Sequence, residues 1–162
     1  MKNRSIRRIS ATVTLLLAAA ASIAADGDSA LPPEQRAGNI GYVTGGIDFG
    51  QSSAFQRARS RYPLAIELLQ RIGNRNQFTA DAQVRVIDGA GNAAFEAKAE
   101  GPYMLVRMPT GTYRVEATLN GQMLTSKAVQ VGSRGSARAV LVFPESADIG
   151  EPAPQPVRNG GR

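Results

Sequence analysis

Between residues 64 and 144 apolar and polar side chains alternate in short runs, and turn residues bound each run. Leu64, Ile66 and Leu68 alternate with Ala65 and Glu67; Ala82, Val84 and Val86 alternate with Gln83 and Arg85. Tyr113, Val115 and Ala117 alternate with Arg114, Glu116 and Thr118. A period of two puts one set of side chains on a buried face and the other in water, which is the signature of a half-buried strand. Tyr103 to Met108 is mostly apolar and suits a central strand, and Leu124 to Val131 and Ala137 to Phe143 complete the set. Turn signals fall at residues 88–92 (DGAGN), Gly101-Pro102, Pro109-Thr110-Gly111, Asn120-Gly121 and residues 132–135 (GSRG). Asn120-Gly121 between two alternating runs predicts a tight hairpin, because both central residues of such a turn need a positive φ. Residues 93–100 (AAFEAKAE) have high helix propensity, yet Phe95, Ala97 and Ala99 alternate with Glu96, Lys98 and Glu100 between two turns. They are read as a strand, with a helix as the alternative. Turns spaced roughly 8–12 residues apart predict an all-β sandwich of about seven strands.

The N-terminal part reads differently. Residues 41–63 form a loop punctuated by Gly45-Gly46, then a short helix from Ala54 to about Arg61 capped by Ser52 or Ser53. Phe55, Ala58 and Tyr62 recur at helical spacing and predict the buried face, with Arg57, Arg59 and Arg61 spread around the rest. Pro63 ends the helix, because the residue before a proline is pushed out of the helical region. Residues 25–40, polar and carrying Pro32-Pro33, read as a flexible leader. Residues 145–162, rich in Pro and Gly, read as a disordered tail.

Composition narrows the chemistry. The 162 residues include no Cys, no His and no Trp. That excludes a His-based triad, a Cys nucleophile, zinc sites of the usual kind and a haem ligand pair. The formal charge of +6 invites a nucleic-acid partner, but the N-terminus removes that reading. Lys2, Arg4, Arg7 and Arg8 precede an apolar and small-residue run from Ile9 to Ala21, and Ser22-Ile23-Ala24 forms a small-x-small step. This is the pattern of a secretory signal peptide over residues 1–24. An uncleaved anchor is the alternative, but the apolar run is short for a membrane span. Cleavage leaves 15 basic against 13 acidic residues, about +2, which gives no electrostatic case for DNA or RNA. The expected location is the periplasm, with full secretion as the alternative.

Three stretches together resemble the carboxypeptidase regulatory-like domain, a transthyretin-like (prealbumin-like) sandwich. They are residues 84–92 (VRVIDGAGN), residues 100–103 (EGPY) and residues 108–117 (MPTGTYRVEA). Met108 stands where the family pattern has Leu, and Glu100 where it has an aspartate. The resemblance covers roughly residues 80–143. It implies a transthyretin-like or Ig-like β-sandwich and an accessory, non-catalytic role. Pro109, Gly111 and Tyr113 form its structural signature. Pro109 suits the turn out of a strand, Gly111 is expected to supply a positive φ, and Tyr113 to bury its ring beneath a loop as tyrosine corners do. The purine-pathway hydrolase of this fold depends on His, so its activity does not carry over.

The remaining motifs are weak. Residues 89–94 (GAGNAA) match a dinucleotide fingerprint formally but lack the following helix. Asp88 with Asn92, and Asp26 with Asp28, lack the further oxygen ligands of a calcium loop. Glu96, Glu100 and Glu116 read as a solvated sheet face, and no S-x-x-K spacing exists for a Ser–Lys pair. No cofactor, no metal and no catalytic residue is expected. Tyr42, Gly45, Gly46 and Phe49 are the candidate partner surface: two aromatics beside a Gly-rich loop whose backbone is free for close approach or for holding an anion. The alternative is that Tyr42 and Phe49 pack over one edge of the sandwich. The expected function is a non-catalytic interaction module of the cell envelope, binding an envelope protein. A small-ligand or carbohydrate-binding sandwich is the alternative.

Overall fold

The computed structural model describes residues 30–145. Residues 1–24, read as a signal peptide, the first part of the leader and residues 146–162 of the tail lie outside the described residues. Among the described residues, eleven strands and one α-helix form a β-sandwich of two open sheets. The strands are β1 (Gln35–Ala37), β2 (Ile40–Gly45), β3 (Leu64–Ile72), β4 (Arg75–Phe78), β5 (Gln83–Ile87), β6 (Ala93–Lys98), β7 (Tyr103–Val106), β8 (Gly111–Leu119), β9 (Gln122–Thr125), β10 (Val129–Val131) and β11 (Ala137–Phe143). Helix α1 (Phe49–Ala58) runs into a 3-10 turn, Arg59–Arg61.

One sheet has the order β1-β2-β7-β3-β11, with β4 also paired to β3. The other has the order β10-β8-β5-β6, with β9 also paired to β8. All pairings are antiparallel except β3 with β11, which run parallel from Leu64 opposite Ala137 to Gln70 opposite Phe143. The alternating residues supply the core between the sheets: Leu64, Ile66 and Leu68 meet Val84, Val86, Val115, Ala117 and Phe143. Residues 93–98 form a strand, as their alternation predicts, and Phe95 is buried. The Asn120-Gly121 hairpin forms with φ values of 49° and 78°, joining Leu119 to Gln122 across the β8–β9 ladder.

In the first sheet, β2, β7 and the start of β3 are buried on both faces. In β7, Met104 and Val106 join the core between the sheets, while Tyr103 and Leu105 face the helix. Phe55, Ala58 and Tyr62 pack down on Val43, Ala65 and Leu105. The helix is thus a third layer, and its predicted face is the one it buries. It starts earlier than its serines suggest. Asp48 is the cap, its Oδ1 accepting from the Gln51 amide at 2.7 Å, and Ser52 lies inside the first turn. Tyr62 is extended, with φ −118° and ψ 135°, as its position before Pro63 requires.

Four more strands appear than the expected seven. Residues 35–45, read as leader and loop, form the hairpin β1–β2 at one edge of the first sheet. Strand β2 pairs with β7 from Tyr42 opposite Val106 to Gly45 opposite Tyr103. Strand β4 is exposed at all four positions, so no alternation betrays it. The run 124–131 divides into β9 and β10 at Ser126, which substitutes for one rung of the ladder. Its amide donates to Val115 O at 2.8 Å, and its Oγ accepts from the Val115 amide at 2.9 Å.

Two glycines show where backbone space is decisive. A Cβ on Gly101 would lie 2.3–2.7 Å from backbone atoms of Gly45. Gly89 has open space, with Thr112 O the nearest atom at 4.0 Å. Gly101→Ala is expected to destabilise by about 2–3 kcal/mol, because backbone rather than a mobile side chain must move, and Gly89→Ala to stay within about 0.5 kcal/mol of the parent. Urea unfolding of both variants checks this; equal midpoints would contradict the packing of Gly101 on Gly45.

Candidate functional site

The four residues of the expected partner surface do not share one exposed patch. Tyr42 is 8% exposed and belongs to the core between the sheets. Its ring meets Phe95 edge-on at 5.2 Å, tying β2 to β6, and its hydroxyl donates to Gln35 Oε1 at 2.8 Å. The alternation of β2 decides this, since Tyr42 and Thr44 point toward the second sheet's side and Val43 toward the helix. Gly45 and Gly46 serve the fold. The close backbone approach they permit is made by Gly101. The Gly46 amide is not free for an anion, because it donates to Gln51 Oε1 at 2.5 Å. Phe49 alone stands out in water, 88% exposed, with Ile47 beside it at 75%.

Tyr103 organises this end of the molecule. Its ring stacks on Phe55 at 5.8 Å with planes 16° apart, and lies 5.3 Å from Phe78. Gly46 packs so closely on it that a Cβ there would fall 2.5 Å from Tyr103 Cδ2. Buried Thr44 locks the turn before it, donating to Tyr103 O at 3.1 Å and accepting from the Glu100 amide at 3.1 Å. Phe78 and the Gly46–Phe49 segment therefore flank the same tyrosine. Ile47, Phe49 and Phe78 are three of the six large exposed apolar residues among those described.

Next to Tyr103, between α1 and the outer face of the first sheet, lies a cleft of about 270 Å³. Phe55, Ala65, Ile66 and Leu105 supply its apolar surface, and Gln56, Arg59, Glu67, Tyr103 and Arg138 its polar groups. Gln56 Nε2 donates to Tyr103 Oη at 3.1 Å. Arg138 pairs with Glu67, whose side chain is largely buried. Sequence reasoning missed this site, because its residues come from α1, the 3-10 turn, β3, β7 and β11, and no spacing links them.

A second polar cluster closes the other end of the helix layer. Arg107 Nε donates to Glu34 Oε2 at 2.9 Å and its guanidinium lies 4.5 Å over the Tyr62 ring. Tyr62 Oη donates to the same carboxylate oxygen at 3.3 Å. Burial of the phenol and the adjacent carboxylate raise the Tyr62 pKa, and the Glu34 hydrogen bond raises that of Arg107. These groups satisfy one another and pin Glu34 of the leader to β7's flank.

The structural signature behaves as a corner, with one correction. Tyr113 is buried and its hydroxyl donates to Pro109 O at 3.1 Å. Gly111 does not have a positive φ. It is needed because the Tyr113 ring lies over it, leaving 3.0–3.1 Å between a Cβ and the phenol. Glu96 and Glu116 lie on the exposed face of the second sheet, both within 3.5 Å of Arg85. Asp88, weighed for calcium, spends its Oδ1 on the Ala90 and Asn92 amides, each at 2.9 Å.

No known protein family matches the chain, and no curated protein is found to be related to it.

Two outcomes follow from the corner and the turn. Tyr113→Phe is expected to cost about 1 kcal/mol, the net worth of its hydrogen bond, read by urea unfolding. The Asp88 pKa lies below its ordinary 3.8, chiefly through its bond with the Asn92 amide. A depressed carboxylate stabilises the folded state fully above its unfolded pKa, and that gain vanishes as pH falls through the lower folded value. The gap in melting temperature between the parent and Asp88→Ala is therefore expected to narrow on acidification below about pH 4. A gap that widens there would contradict the turn.

Proposed function

We propose that this chain is a non-catalytic interaction module of the cell envelope, a carboxypeptidase regulatory-like sandwich exported to the periplasm. The observation that carries the reading is the exposure of Phe49 and Ile47 on a rigid mount. Aromatic side chains standing in water beside a packed scaffold are the usual anchors of protein interfaces. The Asp48 cap and the Gly46–Gln51 hydrogen bond hold both ends of this segment. Little side-chain freedom beyond the rings themselves is then lost on docking, which favours affinity. Phe78 extends the apolar surface on the far side of Tyr103.

Export is supported by residues 1–24 and the non-catalytic reading by the absence of His and Cys. Among the described residues no helix is long and apolar enough to cross a membrane. The resemblance of residues 80–143 supports an accessory role by analogy.

A photo-crosslinking residue placed at Phe49, and in a control at Arg114 on the opposite sheet, tests this in living cells. The expected result is one reproducible envelope-protein adduct from position 49 and none from position 114. Phe49→Ser is expected to weaken binding of that protein by roughly tenfold or more, as loss of an aromatic anchor does. Identical adducts from both positions, or none despite normal export and abundance, would overturn the interaction reading. A periplasmic chain beginning near Ala25 is expected on N-terminal sequencing; a cytoplasmic chain beginning at Met1 would overturn the export reading.

A further inference from the structure

Strand β6 ends the second sheet, and among the described residues it pairs with β5 alone. Just past the strand, Ala99 donates to Ala82 O at 2.9 Å and accepts from the Asp81 amide at 2.8 Å. Main-chain groups of an antiparallel ladder alternate between its two sides. Ala97 and Phe95 therefore also bond toward β5, and Glu96 and Lys98 turn their amides and carbonyls to the open edge. The side chains of Glu96 and Lys98 stand on the solvated face, 62% and 54% exposed. Glu96 lies 3.5 Å from Arg85, and Lys98 lies 2.7 Å from Asp81. Proteins commonly guard an open edge with charge, because an edge of one sign repels its own copy. This edge carries both signs, two residues apart, and so matches itself.

We infer that β6 pairs antiparallel with β6 of a second copy of this chain, about a twofold axis at Ala97. The ladder requires residues that turn outward to face one another, so the axis passes through a residue rather than between two. An axis at Glu96 or at Lys98 sets that residue opposite itself, and like charges directly opposite destabilise a sheet. An axis at Phe95 leaves Glu96 opposite Ala94 and carries Lys98 past the strand, opposite Asn92. The axis at Ala97 sets Glu96 opposite Lys98 of the second copy, and Lys98 opposite its Glu96. Both rungs are hydrogen-bonded pairs with unlike charges. Each Glu96 then sits between its own Arg85 and the Lys98 opposite, and each Lys98 between its own Asp81 and the Glu96 opposite. The ladder stops at Glu100, whose amide already donates to Thr44 Oγ1 at 3.1 Å. The other long edge, β11, has a single charged residue, Arg138, which is held by Glu67. It offers a second copy no unlike partner. This inference is independent of the interaction reading, which rests on Phe49 and Ile47 beside the first sheet.

Sedimentation equilibrium of the chain purified from cells tests the association. A short polar interface belongs to the weak, reversible class, and a dimer dissociation constant of roughly 10–500 μM is expected. Exposed ion pairs are screened by salt, so the dimer is expected to weaken as salt rises. E96K and K98E are each expected to weaken it by about tenfold or more, through like charges set opposite one another. An equimolar mixture of E96K with K98E is expected to associate again, because each rung regains unlike charges; a merely destabilised fold would not recover on mixing. Phe49→Ser is expected to leave the dimer unchanged. The chain has no Cys, so single cysteines report the register. Ala97→Cys is expected to form a disulfide with its own copy on oxidation, since facing residues of a non-hydrogen-bonded pair lie about 4.5 Å apart between Cα atoms. Ala94→Cys on the same edge and Val140→Cys on β11 are expected not to. A monomer up to about 1 mM, well above the weak range, would sink the inference. So would no recovery on mixing, or crosslinking of Ala94→Cys or Val140→Cys in place of Ala97→Cys.

Discussion

Burial of β7 on both faces is the constraint from which the rest of the architecture follows. Tyr103-Met104-Leu105-Val106 has no polar position, and all four side chains are buried. Met104 and Val106 are covered by the second sheet, but Tyr103 and Leu105 would face water if nothing lay over them. Fully burying side chains of this size is worth about 1.5–3 kcal/mol each. The helix supplies that cover, and Phe55, Ala58 and Tyr62 lie where the face of β7 and β3 needs them. A two-layer sandwich thereby becomes a three-layer one over half of the first sheet.

Docking a helix there demands close backbone approach, and the glycines and small residues follow from it. Ala65 and Ala58 keep helix and sheet near one another. Gly45 and Gly101 let the end of β2 meet the turn into β7. Thr44 then joins the two segments with both capacities of its hydroxyl. The result is a well-supported Tyr103, held by Gly46, Phe55, Phe78 and Gln56. An exposed segment and a cleft both adjoin it. The segment that leaves Gly46 carries Ile47 and Phe49 into water, and the cleft beside Tyr103 is lined in part by Arg59. The helix that completes the core thus also borders the exposed segment and the cleft.

The second sheet is simpler and was more legible. Its strands follow the period-two pattern because one face meets the core and the other meets water, where Arg85 lies between Glu96 and Glu116. The Asn120-Gly121 hairpin was legible because a positive φ at two successive residues restricts the residue types that fit. The first sheet was harder. Residues 35–45 carry three glycines and a mixed pattern, since β2 is buried on both faces and β1 is only three residues long. Strand β4 carries no buried residue at all and exists because β3 offers it a ladder. Gly111 shows the same limit at one residue: its type was read as a backbone requirement, whereas the reason is the Tyr113 ring above it.

Taken alone, the order of residues determined the all-β class, most strands of the sandwich, the buried face of the helix and the chemistries that a chain without His and Cys does not have. These are local properties, set by side-chain periodicity, turn stereochemistry and composition. Tertiary structure alone decided that Tyr42 is core and Phe49 is surface, that Gly45 meets Gly101, and that Arg59, Tyr103, Glu67 and Arg138 share one cleft. The physical reason is distance along the chain. Those groups lie on separate elements, and only the packing of α1 against β3, β7 and β11 brings them together.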